Sequence, residues 1–112
     1  IRELGISTIN ITNSAEEAVD GAEVLYTDVW ASMGEKDLIA ERTRLLRGFQ
    51  INTALLKYAT KDALVLHCLP AERGNEITDE VLEGPQSVVF DQAENRMHVQ
   101  NAIMILLSEK WK

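Results

Sequence analysis

The chain has 112 residues, 18 acidic and 11 basic, for a formal charge of −7, which argues against a nucleic-acid or anionic-membrane partner. With 46% hydrophobic and 26% charged residues it has the make-up of one globular domain, or part of one, and no apolar stretch approaches the length that spans a bilayer. Its single cysteine excludes an internal disulfide and a zinc cluster of several thiolates, and fits a reducing compartment such as the cytoplasm.

Arg2-Glu3-Leu4 reads as the end of a helix closed by Gly5. The chain therefore opens in mid-element, as an excised piece of something longer would. Ile6 to Ile11 alternates apolar and polar residues and predicts a strand. Ser14-Ala15-Glu16-Glu17 is a capping box that opens a short helix ending at Gly21. Glu23 to Thr27 is the next strand, ending in Asp28, and residues 29 to 36 form a loop.

Asp37 to Arg47 is helical, with Leu38, Ile39, Leu45 and Leu46 spaced for one face and Arg42, Arg44 and Arg47 read as a solvated surface. A short helix follows Asn52. Ala63-Leu64-Val65-Leu66 then has the uninterrupted apolar character of a strand buried on both faces, and His67-Cys68-Leu69-Pro70 closes it with a turn. Thr78 caps a helical turn through Leu82, ended by Gly84-Pro85, and Ser87 to Asp91 is the last strand. In the final helix Val99, Ala102, Ile103, Leu106 and Leu107 form one apolar stripe.

Strands alternating with helices predict an α/β fold: a parallel sheet with helices on both faces, Rossmann-like and three-layered, incomplete at its N-terminal side. Parallel strands place Asp28, His67-Cys68 and Asp91 on one sheet edge, the carboxyl edge where such folds bind ligands. Asp91, with Glu94 three residues on, reads as a helix N-cap. Asp28 precedes a non-helical segment, so a carboxylate held for a cationic ligand is the better account. A free cysteine more often serves as a small buried hydrophobe than as a nucleophile, and His67 reads as a structural imidazole. Two histidines and one cysteine are too few for a His/Cys metal site, and no glycine-rich phosphate motif occurs. Neither metal nor cofactor is expected.

Three motifs, taken together, resemble the ornithine carbamoyltransferases: Asp28-Val29-Trp30-Ala31-Ser32-Met33-Gly34, His67-Cys68-Leu69-Pro70 and Glu94-Asn95-Arg96, in that order. The resemblance covers essentially the whole chain, including Gly84 to Phe90. It implies attack by the δ-amino group of ornithine on the carbonyl carbon of carbamoyl phosphate, giving citrulline and phosphate. Asp28 would then hold the ornithine α-ammonium group, and Ser32 and Met33 would belong to a loop closing over ornithine. Cys68, the catalytic candidate, would touch both substrates. Leu69 would offer its carbonyl to the carbamoyl group, and Arg96 would reach carbamoyl phosphate. Met33 as a surface hydrophobe and Arg96 as a partner of Glu94 are the plainer alternatives.

The family's Ser-Thr-Arg-Thr and His-Pro-Cys-Gln phosphate motifs do not occur here. The resemblance thus implies that residues 1–112 make up most of an ornithine-binding domain. Its first strand and the carbamoyl-phosphate domain of the same protein would lie outside this chain, which would be inactive alone and part of a homotrimer when complete. Two other readings stay open: a non-catalytic amino-acid-binding module, and a transferase for another amine such as putrescine.

Overall fold

The computed structural model describes residues 5, 7–31 and 34–110; the expected helix end at Arg2–Leu4 lies outside them. Two parallel strands organise the chain. Strands β1 (Val24–Thr27) and β2 (Leu64–His67) pair in register from Val24 opposite Leu64 to Thr27 opposite His67. The crossover between them, residues 28–63, carries α2 (Ile39–Leu46) and three 3-10 turns, Lys36–Leu38, Arg47–Phe49 and Leu55–Tyr58. Before β1 lies α1 (Ala15–Val19), and after β2 come α3 (Asp79–Leu82) and the 21-residue α4 (Val89–Glu109).

The α1 cap is built differently from the expected box. Ser14 Oγ accepts the Glu17 N–H at 3.1 Å, as predicted, but Glu17 does not reach back to the Ser14 amide. That amide donates to Thr12 Oγ1 at 3.2 Å, and the Thr12 hydroxyl donates to Glu17 at 2.6 Å. Thr12 thus stands between the two, accepting the Ser14 N–H and donating to the glutamate expected to accept it. Ser7 to Ile11 forms no strand, while Ile6 lies outside the described residues. Alternation supplies a face but not a ladder, and here Ile11 stays 85% exposed.

The expected strand at Ser87–Asp91 contracts to one parallel bridge, Val65 with Ser87. Val65 N–H donates to the Gln86 carbonyl at 2.8 Å and Val88 N–H to the Val65 carbonyl at 3.0 Å. Continuing the ladder would require the Val88 carbonyl to accept from His67. It accepts the Gln92 N–H instead, at 2.9 Å, and α4 begins. Asp91 therefore lies inside the first turn of α4, where its charge suits the helix dipole, while Val88 holds the N-cap position. Its predicted place as a cap at a strand end is incorrect.

Leu25, Ile51, Val65, Ile77, Val81, Leu82 and Val89 pack as the core beneath one sheet face. The other face is open, with Val24, Tyr26 and Leu64 between 44% and 57% exposed. The expectation that these strands are buried on both faces does not hold for the described residues. The α4 stripe is equally uncovered, with Val99, Ile103, Leu106 and Leu107 all exposed. Helical spacing set the stripe, but a stripe is buried only where another element meets it. Among the described helices none is long and apolar enough to cross a membrane.

Candidate functional site

The carboxyl ends of β1 and β2 are adjacent, because Thr27 and His67 are register partners. Asp28 and Cys68 follow immediately, so parallel pairing sets the carboxylate beside the thiol. His67 closes β2 with its side chain fully buried. Its Nδ1 accepts the Leu69 N–H at 2.9 Å, which assigns the ring proton to Nε2, and Nε2 lies 3.1 Å from Glu76 Oε1. That oxygen also accepts the Glu72 N–H at 2.6 Å. The Glu76 segment is held in turn by Ile51, whose N–H donates to the Glu76 carbonyl and whose carbonyl accepts from Thr78. His67 is a structural imidazole, as expected, and its partner Glu76 was not legible. A buried carboxyl nine residues away in sequence looks like any surface glutamate until the turn folds it under the strand.

This brace shapes the His-Cys-Leu-Pro turn. Leu69 has φ of +50°, a region L-residues rarely occupy, and the Leu69–Pro70 bond is cis. The hydrogen bond from its own N–H to His67 Nδ1 helps to hold that conformation, which sets Cys68 half-buried at the rim.

The Cys68 sulfur lies within 4.8 Å of the Asp28 carboxylate, and the thiol above all holds that carboxyl below the usual carboxylate range. Burial is the next influence and opposes it, while the Val29 N–H, 2.7 Å from Asp28 Oδ1, adds a lesser lowering. The same pairing pushes the Cys68 thiol up, with burial adding to it. Asp28, His67 and Cys68 offer ligand atoms within 4.8 Å of one another. His67, however, spends both ring nitrogens on protein partners, leaving two free donors. That set is poor for a closed structural site, which takes four.

Two clefts meet at this edge. One, about 430 Å³, has apolar walls from Val19, Leu25, Phe49 and Leu55, with Asp28 and Trp30 at its end. The other, about 650 Å³, is lined by Cys68, Gln92, Asn95 and Arg96. Tyr26 borders both. The structure thus joins Asp28 to Cys68 and gives Cys68 and Arg96 a common cleft. Glu94 pairs with His98 at 3.3 Å, and among the described residues no carboxylate pairs with Arg96. Ser32 and Met33 lie outside the described residues. Arg42 is not part of a merely solvated face. Its guanidinium binds the Trp30 carbonyl at 2.9 Å and both Glu35 oxygens at 2.7 and 3.0 Å, fastening the loop to α2.

Two parallel strands joined by a helical crossover, with a carboxylate and a thiol at their carboxyl ends, define a ligand-binding domain of the α/β class. A family model, "Aspartate/ornithine carbamoyltransferase, Asp/Orn binding domain", matches residues 2–107. The chain belongs to that family. It is 57% identical over 104 residues to the chloroplastic ornithine carbamoyltransferase of Pisum sativum, covering 93% of this chain and 28% of the relative. The solved ornithine carbamoyltransferase of Pyrococcus furiosus matches with a TM-score of 0.75 at 52% identity, over 81% of this chain and 29% of that one. The anabolic enzyme of Campylobacter jejuni matches at 0.78 and 37% identity, over 86% and 32%. The chain therefore spans about a third, or less, of the length of these relatives.

Proposed function

We propose that this chain is the ornithine-holding domain of an ornithine carbamoyltransferase, carrying part of a reaction centre completed by the rest of a longer protein. The observation that carries the reading is the Asp28–Cys68 pair at the joined strand ends, within the motif order of that family.

In the reaction the δ-amino nitrogen attacks the carbonyl carbon of carbamoyl phosphate. A C–N bond forms, the C–O bond to phosphate breaks, phosphate leaves with the bonding electrons and the amine gives up a proton. An alkyl ammonium has a pKa of about 10.4, so the site must favour the neutral amine. Asp28, ionised at neutral pH, suits the α-ammonium group and anchors the amino-acid head. Cys68, with its pKa raised, enters as a thiol and orients the amine rather than serving as a resident base. Arg96 supplies fixed positive charge as negative charge develops on the carbamoyl oxygen and the phosphate. The Leu69 carbonyl faces the carbamoyl group, and Ser32 and Met33 close the loop against water.

The uncovered sheet face and α4 stripe support a second, phosphate-binding domain in the same protein, since parallel sheets are ordinarily covered on both faces. A homotrimer, ornithine and carbamoyl phosphate as substrates, and a cytoplasmic location complete the proposal. Putrescine has no amino-acid head for Asp28 to hold, so ornithine is the better substrate.

The test measures citrulline formation by the full-length protein. Asp28→Asn should raise the KM for ornithine tenfold or more, while putrescine should be carbamoylated poorly by the unaltered enzyme. Preference for putrescine, or an unchanged ornithine KM in the variant, would overturn the substrate assignment. Citrulline made at a normal rate by residues 1–112 alone would refute the division of the site.

A further inference from the structure

Where the ladder on the outer edge of β2 stops, a side chain takes over. On that edge Val65 donates to the Gln86 carbonyl and accepts from Val88. The next donor in line, the His67 N–H, finds its acceptor on α4: Gln92 Oε1, at 3.0 Å. A backbone N–H can only donate, so the amide oxygen of Gln92 must face β2 and its nitrogen must face away. That nitrogen, Nε2, donates to the Tyr26 hydroxyl on β1 at 3.3 Å. One half-buried side chain thus ties α4 to the carboxyl ends of both strands. Its partners lie 25 and 66 residues away in sequence, so the tie closes only when all three elements have met. Among the described residues no other side chain bonds α4 to β2.

What the tie joins is the two halves of a cleft. Cys68 directly follows His67. Asn95 and Arg96 stand three and four residues beyond Gln92, one helical turn on along the same face, and they line the cleft with Cys68. We infer that Gln92 is a positioning residue, a clamp that fixes the strand end carrying Cys68 against the helix face carrying Arg96. The backbone bonds nearest to it, at Val65, lie two residues back along β2, so Gln92 holds the stretch of strand next to the cleft. A carbamoyl group set between a thiol and a guanidinium needs both at fixed separations, and a displacement of about 1 Å can cost about a hundredfold in rate. This consequence for catalysis rests on the proposed function, whereas the clamp itself does not.

The test uses the full-length protein, with amide hydrogen exchange at His67 read by mass spectrometry and citrulline formation measured well below the unfolding temperature. Gln92→Leu removes both bonds at similar size. The His67 amide should then exchange about tenfold faster. The kcat should fall about ten- to a hundredfold, while the KM for ornithine stays within about twofold because Asp28 is carried by β1. Gln92→Glu keeps one oxygen for the His67 N–H and offers the other to the Tyr26 hydroxyl, which turns round to donate, so the His67 amide should stay protected. Tyr26→Phe removes one bond of the two; its fall in kcat should be smaller, and it should add little once Gln92→Leu is present. Unchanged His67 exchange in Gln92→Leu would overturn the clamp. Faster exchange with an unchanged kcat would overturn the positioning role, since a merely structural side chain would behave that way. Full additivity of Tyr26→Phe and Gln92→Leu would overturn the tie to both strands. An unaltered protein that makes no citrulline would count against the proposed function and not against the clamp, which exchange at His67 still decides.

Discussion

Glu76→Ala is the substitution that most directly tests the buried brace beneath the site. Glu76 and His67 are both wholly buried, and Glu76 Oε1 accepts from two donors, His67 Nε2 and the Glu72 N–H. Truncation leaves both donors without an acceptor and away from water. At about 1–3 kcal/mol for each stranded group, the loss is roughly 2–6 kcal/mol. A 112-residue chain at about 0.05–0.15 kcal/mol per residue has only about 6–17 kcal/mol to lose. The variant should therefore unfold at markedly lower urea with an unchanged m value, and the Leu69 amide should exchange faster as the His67 ring loosens. Glu76→Gln keeps one acceptor oxygen and should cost less, about 1–3 kcal/mol. Replacing both His67 and Glu76 with leucine removes donor and acceptor together, so its cost should fall well short of the two single costs added. A loss below about 1 kcal/mol for Glu76→Ala, or full additivity in the double variant, would refute the account.

Other consequences follow from the same contacts. Asp28→Asn removes the largest cause of the raised Cys68 pKa, so the pH midpoint of Cys68 alkylation by iodoacetamide should fall. The signs for stability are also opposed. The Asp28 contribution, from a depressed pKa, is present above about pH 3.9 and lost as pH falls through the folded value. The Cys68 contribution, from a raised pKa, is present below about pH 8.5 and lost as pH rises through its folded value; in Cys68→Ala, urea midpoints against pH should lose this contribution and keep only the part of the Asp28 one that the Val29 N–H supports. Gly84→Ala would put a Cβ 2.7 Å from the Glu80 carbonyl and 3.2 Å from that of Val81. Both neighbours are backbone, so a destabilisation of about 1–3 kcal/mol is expected in urea unfolding, and a neutral result would show that the α3 end yields. Leu106→Gln lies on the uncovered α4 stripe and should change the stability of this domain by no more than about 0.5 kcal/mol. In the full-length protein, if the second domain covers that stripe, the same change should cost more.

The sequence alone determined the two strands, the helix order and the motif residues, because each is written in local pattern. Solid apolar runs ended at Asp28 and at His67-Cys68, and their carboxyl ends did come together. Local pattern also proposed a strand at Ser87–Asp91, and there it failed by a competition it cannot record. The Val88 carbonyl could serve the sheet or the helix, and the Gln92 side chain made the helix possible by satisfying His67 in place of the ladder. Glu76, Tyr26 and Gln92 carry no signature of their own, since a residue acquires a role at a site only through what folds against it. What lay in the chain as text was the pair of reactive groups. Tertiary structure alone decided their neighbours: a buried carboxyl beneath the turn, a phenol and an amide above it, and an apolar helix face that this chain leaves uncovered.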